Sequence, residues 1–517
     1  MGSERPAPRR AGLVDRRRLL VGLGFTAANA ALVRGLPPLP PEIARRAGAV
    51  TRPVAVEGAA EPPSPDHVHD VVVAGGRVMD PASGFDARAD VGIDGHTVTA
   101  IRPRSGGRLA GRIDIDATGL VVAPGFVDVL SYDPNPVGSW LKIADGVTTN
   151  LAMHGVNADP DPWLARWSAE GCPTHFGGAF DDPWARARMG IAPDQAASAD
   201  QVRQLAGEAE AAVAAGWLGI DVEPEYTPGI DAPEIDALGR VAAAAGVPLF
   251  FHGRYSDVEP PGTNADTLAE ILGTARRTGS AVHVEHIVST GGTFSMKQSL
   301  RTLEAARDEG VDVTACAYPY DSWAAYLASP RFAAGWQERF RIDFGDLRLP
   351  GGQQLTARTF DRYRAQNRLA VAAAIPEDDV RRALAHPLVM IGSDSIIEPG
   401  AENHPRGAGT FARVLGRYVR EEGVLSLMEA LAKMTWYPVA RLERAAPALR
   451  RKGRLQIGAD ADVTVFDPST VADRATVEDP ARPSTGVEWV LVAGRVVKSP
   501  AGVDRRELPG QAVRREA

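Results

Sequence analysis

Four residues of types that handle metals and protons stand at matching places in this chain. His154 follows the apolar run VTTNLAM, His252 ends VPLFFH, His286 ends AVHVEH and Asp394 ends LVMIGSD. Each run has the length of a strand, and each polar residue sits at its C-terminal end. Three imidazoles meeting at one point can hold a zinc ion and leave one coordination position open. Such a metal lowers the pKa of water to about 7. A neighbouring carboxylate, here Asp394, can orient that water, take its proton and pass it to a leaving amine. A lone strand-end histidine is more often structural than a ligand. Four suitable residues at four strand ends point to a site. His283 lies an odd number of positions before His286, so it falls on the opposite strand face and outside the site.

The elements that would position these groups form a repeating series. Eight apolar runs of strand length occur: 121–129, 147–153, 174–180, 216–222, 247–252, 281–286, 311–319 and 388–394. Most are separated by helical stretches rich in Ala, Glu and Arg. Eight strands alternating with helices predict an α/β chain folded as a (β/α)8 TIM-type barrel, whose chemistry sits at the C-terminal strand ends. The long gap between the seventh and eighth runs predicts an insertion at about 322–387 that covers the mouth. Alternating β segments precede the barrel (69–84, 91–101, 112–125) and follow it (461–468, 487–497). They predict a small β-sandwich built from both ends of the chain. The expected divisions are a signal segment (1–33), a disordered linker (34–66), the first sandwich part (67–123), the barrel (124–452), the second sandwich part (453–503) and a tail (504–517).

Composition narrows the function. The chain has 517 residues, 44% of them hydrophobic, enough for a large core. A net charge of -8 argues against a nucleic-acid footprint. Only five of the 57 basic residues are lysine, and none lies between Lys142 and Lys297. Cys172 and Cys316 are too few for a four-cysteine metal site or a disulfide scaffold, and buried free thiols are the expectation. Near the N-terminus, DRRRLL (Asp15 to Leu20) precedes a short apolar stretch, Val21 to Val33, too short to span a bilayer. Arg16 and Arg17 with Leu19 and Leu20 resemble a twin-arginine export signal. This predicts the twin-arginine machinery as a partner and a periplasmic or extracellular location. A basic helix start on a cytoplasmic protein is the alternative. Residues 34–66 carry eight prolines and read as a linker.

Several motifs resemble the amidohydrolase superfamily: VVAPGFVD (Val121 to Asp128), GVTT (Gly146 to Thr149), GSD (Gly392 to Asp394) and GADADVTVFDP (Gly458 to Pro468). Others resemble its N-acyl-D-amino-acid deacylase (D-aminoacylase) branch. These are YTPG (Tyr226 to Gly229), HGR (His252 to Arg254), YPY (Tyr318 to Tyr320), HPRGAGTFARVLGRYVRE (His404 to Glu421), KMTWYPVARL (Lys433 to Leu442) and STVADRATVEDP (Ser469 to Pro480). The resemblance runs from about residue 68 to 500. It implies Asp394 as general acid/base and His252 and His286 as ligands of the tighter metal. The third ligand of that metal in the branch is a cysteine, and His154 stands at its place. Arg406 and Tyr226 are implied to contact the substrate carboxylate, with Arg254 and Tyr318 in the same matching motifs as further substrate contacts. An Arg fork suits a carboxylate.

The chain departs from the branch where its first strand should end in Asp-x-His-x-His. DVLSYDPNP puts Leu130 and Tyr132 in place of the two histidines. The fourth strand offers no lysine but reads GIDVEPE, with Asp221 and Glu223, and Val288 stands near where a basic residue belongs after His286. The expected enzyme is a hydrolase of carbon–nitrogen bonds other than peptide bonds. It would use one zinc ion, or another divalent metal, to cleave a linear amide in a small N-acylated amino acid. A catalytically inactive ligand-binding barrel and a cyclic amide hydrolase are the alternatives.

Overall fold

The computed structural model describes residues 55–61, 63–64, 66–400 and 402–516. The expected signal segment and the linker up to residue 54 lie outside them. Eight parallel strands follow one another in a single sheet: Phe126–Asp128, Val147–Val156, His175–Asp181, Ile220–Val222, Leu249–Phe251, Val282–Val284, Val313–Ala317 and Val389–Ile391. All but Thr314 of their residues are buried, which is why the runs read as continuously apolar. The first and eighth strands meet at the mouth. Ser393 N donates to Asp128 Oδ1 at 2.9 Å, and Asp394 N donates to the Leu130 carbonyl at 2.7 Å.

The helices between strands carry their own start and stop signals. In Ala232–Ala245, Asp231 caps the N-terminus by accepting from Glu234 N, Pro233 sits in the first turn, and Gly246 at φ +69° ends it. Ile235, Leu238 and Ala242 fall on one face and are fully buried. Truncating Leu238 to Ala would cost about 2–5 kcal/mol.

The insertion forms a lid with its own small sheet, Trp323–Tyr326, Leu369–Ala372 and Leu347–Arg348. Trp323, Phe332, Trp336, Phe340 and Phe360 pack on one another, mostly edge to face, with Trp336 stacked on Phe360. The lid ends earlier than the expected 387, because Glu377–Ala385 is a regular helix packed on the barrel.

The strands flanking the barrel form one continuous nine-stranded sheet rather than two separate ones. Val121–Pro124 is the junction, parallel to Arg77–Val78 on one side and antiparallel to Val463–Phe466 on the other. Val73, Ile93, Val122, Val463 and Leu491 share one core across both arms. Ala55 bridges to Ile457, so pairing begins inside the span read as linker. The tail is docked: Gly510 N donates to the Cys172 carbonyl, and Val513 joins the cluster inside the barrel.

Candidate metal and active site

The barrel brings His154, His252, His286 and Asp394 to one mouth. His154 lies within the second strand, His252 just beyond the fifth, His286 beyond the sixth and Asp394 beyond the eighth. His286 (φ +20°) and Asp394 (φ +51°) are non-glycine residues in the left-handed region. Such backbone costs about 1–3 kcal/mol and persists where the surroundings hold it. Here the Leu130 carbonyl holds Asp394 N, and Cys316 Sγ accepts from His286 N at 3.3 Å. Both cysteines are buried free thiols.

The three imidazole rings face a shared centre. Ring centroids are 5.4 Å apart for His154 and His252, 5.7 Å for His154 and His286, and 4.7 Å for His252 and His286. Two of the rings are fixed through one nitrogen. His252 Nε2 meets Glu225 Oε2 at 2.8 Å, and Glu225 Oε1 accepts from Ser256 Oγ. His286 Nδ1 meets Ser289 Oγ at 3.2 Å and Thr290 Oγ1 at 3.3 Å. Outer partners of this kind set the tautomer of a ligating imidazole. The other nitrogens, His252 Nδ1 and His286 Nε2, remain for ligation. One atom from each of His154, His252, His286 and Glu285 lies within 4.8 Å of the others. A tetrahedral shell at zinc–nitrogen distances needs about 3.4 Å between donors. His252 Nδ1, His154 Nδ1 and both Glu285 oxygens are buried without hydrogen-bond partners. This donor set fits a divalent cation.

The electrostatics of His252 and His286 agree with that fit. Burial, above all other causes, pushes His252 and His286 well below the usual histidine range, which keeps them in the neutral form a metal needs. At His154 burial is outweighed by Glu285, Tyr132 and Glu223, and its pKa rises. Glu285 Oε2 is 3.0 Å from His154 Nδ1, Glu223 Oε1 3.5 Å and Asp221 Oδ2 3.7 Å, so this end of the mouth attracts positive charge. At Asp394 burial is outweighed by Arg406, His286 and His154, and its carboxyl is held below the ordinary range. It is therefore ionised at neutral pH. Asp394 Oδ2 stands 3.8 Å from His286 Nε2, and Oδ1 stands 4.0 Å from His154 Nε2.

The position of the missing histidine pair is filled. Leu130 is buried in the barrel interior beneath Gly392. The Tyr132 hydroxyl donates to Asp394 Oδ1 at 3.2 Å. Asp128 is engaged by the buried Lys142 at 2.6 Å, whose ammonium also donates to Ser393 Oγ and the Ser395 carbonyl. That network ties the first strand to the eighth and leaves no imidazole there.

A cavity of about 410 Å³ opens over these groups. Tyr132, His154, Glu223, Tyr226, His252, His286, Asp394 and Arg406 line it from the barrel, and Trp323, Tyr326 and Arg331 line it from the lid. Of the residues expected to contact substrate, Tyr226 packs on His252 at 4.6 Å and Arg406 binds Asp394 at 2.8 Å. Tyr318 lies behind Arg406, whose guanidinium sits 4.5 Å from its ring centre. Arg254 is not brought to the cavity. Its guanidinium is taken up by Glu270 and by the Pro228 and Ile230 carbonyls. His283 points below the mouth to Thr314 and Phe250. Sequence reading missed Glu225, Glu285 and Arg331. The first two adjoin recognised residues; nothing in the sequence marks Arg331.

A barrel with imidazoles and a carboxylate at its mouth, flanked by a sheet from both chain ends, defines the amidohydrolase class. The amidohydrolase family model matches residues 275–498. The chain is 34% identical to an N-acyl-D-glutamate deacylase of Alcaligenes xylosoxydans xylosoxydans, over 87% of this chain and 97% of that one. It is 31% identical to a D-aminoacylase of the same organism, over 83% and 94%. Among solved structures, a zinc- and phosphonate-bound N-acyl-D-glutamate deacylase from Bordetella bronchiseptica superposes with a TM-score of 0.74 at 29% identity, covering 87% of this chain and 100% of that one. A D-aminoacylase superposes at 0.75 and 26%, with 87% and 100% covered. This chain belongs to the amidohydrolase family, in its D-aminoacylase branch.

Proposed function

We propose that this chain hydrolyses the amide bond of an N-acyl-D-amino acid, giving a carboxylate and the free D-amino acid, with one metal ion held by His154, His252 and His286. The observation that carries the reading is the convergence of those three imidazoles on a shared centre beside an ionised Asp394. The relatives named for N-acyl-D-amino-acid deacylation support the substrate class. Imidazole donors suit zinc among the divalent metals, and zinc is the ion in the Bordetella bronchiseptica relative. When bound, the metal supplies Lewis-acid polarisation of the amide carbonyl and acidification of water.

The chain's own residues do the rest. Asp394 accepts a proton from the attacking water and hands it to the leaving nitrogen. Arg406 keeps Asp394 ionised through one arm. Its guanidinium has five N–H donors, so others remain for the substrate carboxylate. Tyr226 supports the same end of the cavity against His252. Trp323 and Arg331 roof the cavity and restrict water. The same proposal includes an activity outside the cytosol, which the twin-arginine-like segment before Val33 supports. The test is turnover of N-acyl-D- and N-acyl-L-amino acids by zinc-loaded protein. Release of free D-amino acid is expected, and no turnover of any N-acyl amino acid would end the reading.

A further inference from the structure

We propose that Glu285 is a fourth protein ligand of the metal, so that the site is three imidazoles and one carboxylate. The inference rests on the reading that His154, His252 and His286 hold a metal. Successive strand residues point to opposite faces, so Glu285 and His286 should not share a centre. Both lie just past the strand Val282–Val284, His286 adopts φ +20°, and one ligand atom of each lies within 4.8 Å of the other and of His154 and His252. Glu285 is fully buried, and neither carboxylate oxygen has a hydrogen-bond partner. A buried carboxylate whose oxygens accept no well-directed hydrogen bond favours a nearby positive charge.

Glu285 faces two of the proposed ligands at close range. Its Oε2 lies 3.0 Å from His154 Nδ1 and 3.9 Å from His286 Nε2. Asp221 and Glu223 stand farther from His154 Nδ1, at 3.7 and 3.5 Å, and neither is grouped with His252 and His286. Glu285 alone among these acids bridges the three rings. A carboxylate also gives the centre the negative charge that three neutral imidazoles lack. That donor set suits zinc, cobalt or manganese as divalent ions and disfavours soft monovalent copper.

The test compares wild type with Glu285→Gln, which keeps the shape and removes the charge. Cobalt-loaded proteins report the ligand shell through their d–d absorption, and chelator competition reports zinc affinity. The expected result is a changed cobalt spectrum together with zinc binding weakened by well over about 100-fold, beyond the ~10–100-fold range for losing an outer partner. Superimposable cobalt spectra would overturn the proposal and leave Glu285 as an acceptor for His154. Should Glu285→Gln fail to fold, the zinc-loaded wild-type crystal structure decides. A Glu285 oxygen at about 2.0–2.2 Å from zinc supports the proposal, and one beyond about 3 Å overturns it. Wild type that takes up no metal at all would instead refute the three-imidazole reading itself.

Discussion

Arg406→Gln is the perturbation whose consequences the structure defines most closely. Arg406 Nη1 and Asp394 Oδ2 are 2.8 Å apart, and both side chains are more than nine-tenths buried. At an effective dielectric of about 20 the direct attraction at that distance is about 6 kcal/mol. Desolvation of both groups offsets part of it, and breaking such a pair from one side costs about 3–5 kcal/mol. The Tyr132 hydroxyl would remain as one donor to Asp394, which favours the lower end. Loss of the guanidinium should also raise the Asp394 pKa, the usual effect of an adjacent arginine in reverse. Two assays follow. Denaturant unfolding of the metal-free protein should show the stability loss. The acid limb of the kcat/KM profile should move to higher pH, because a weaker acid is protonated, and so inactive as a base, sooner as pH falls. Stability within about 1 kcal/mol of wild type and an unmoved acid limb would refute the claim that this ion pair tunes Asp394.

Further outcomes follow from other residues. Asp394→Asn should lose about 10²–10⁴-fold in kcat while retaining its metal, and an activity within roughly tenfold of wild type would remove Asp394 from proton transfer. Glu225→Gln should weaken zinc binding by about 10–100-fold in chelator competition, since Glu225 fixes the His252 ring at 2.8 Å; unchanged affinity would make that contact incidental. Asp145 is pushed up from 3.8 to about 7 by burial, despite accepting from Phe411 N, Ala412 N and Ser484 Oγ. Because its folded-state pKa is raised, its stabilising contribution is full below pH 3.8 and is lost as the pH rises through about 7. The loss amounts to about 4 kcal/mol at most. The Tm of Asp145→Asn relative to wild type should therefore climb across that window, and a flat difference would speak against it.

The parts of this molecule that follow simple periodicity could be read from its sequence. Continuous apolar runs between helical stretches gave the eight strands. The candidate site followed from asking what stands at their C-terminal ends. His154, His252, His286 and Asp394 were legible for that reason. The alternation rule hid Glu285, because it assigns neighbours to opposite faces and carries no signal of the positive φ at His286. Glu225 was passed over because its role depends on the reach between two different strands. Arg254 looked available in the HGR motif, but the Pro228 and Ile230 carbonyls and Glu270 consume its donors. Arg331 belongs to the lid, whose path over the mouth no local pattern specifies. The flanking β segments were legible as strands. Their union from both chain ends was expected too; its form as one continuous sheet was not, since it depends on Val121–Pro124 pairing on both sides. The lost histidine pair reads differently with its neighbours in view. Tyr132 reaches Asp394, and Lys142 locks Asp128, so that corner is organised around Asp394.

The most direct measurement is the metal stoichiometry of the purified protein at saturating zinc, alongside His252→Ala. The account predicts one tightly bound ion per chain in wild type and loss of that ion in the variant. No bound metal in wild type, or an ion retained when His252 is gone, would contradict it.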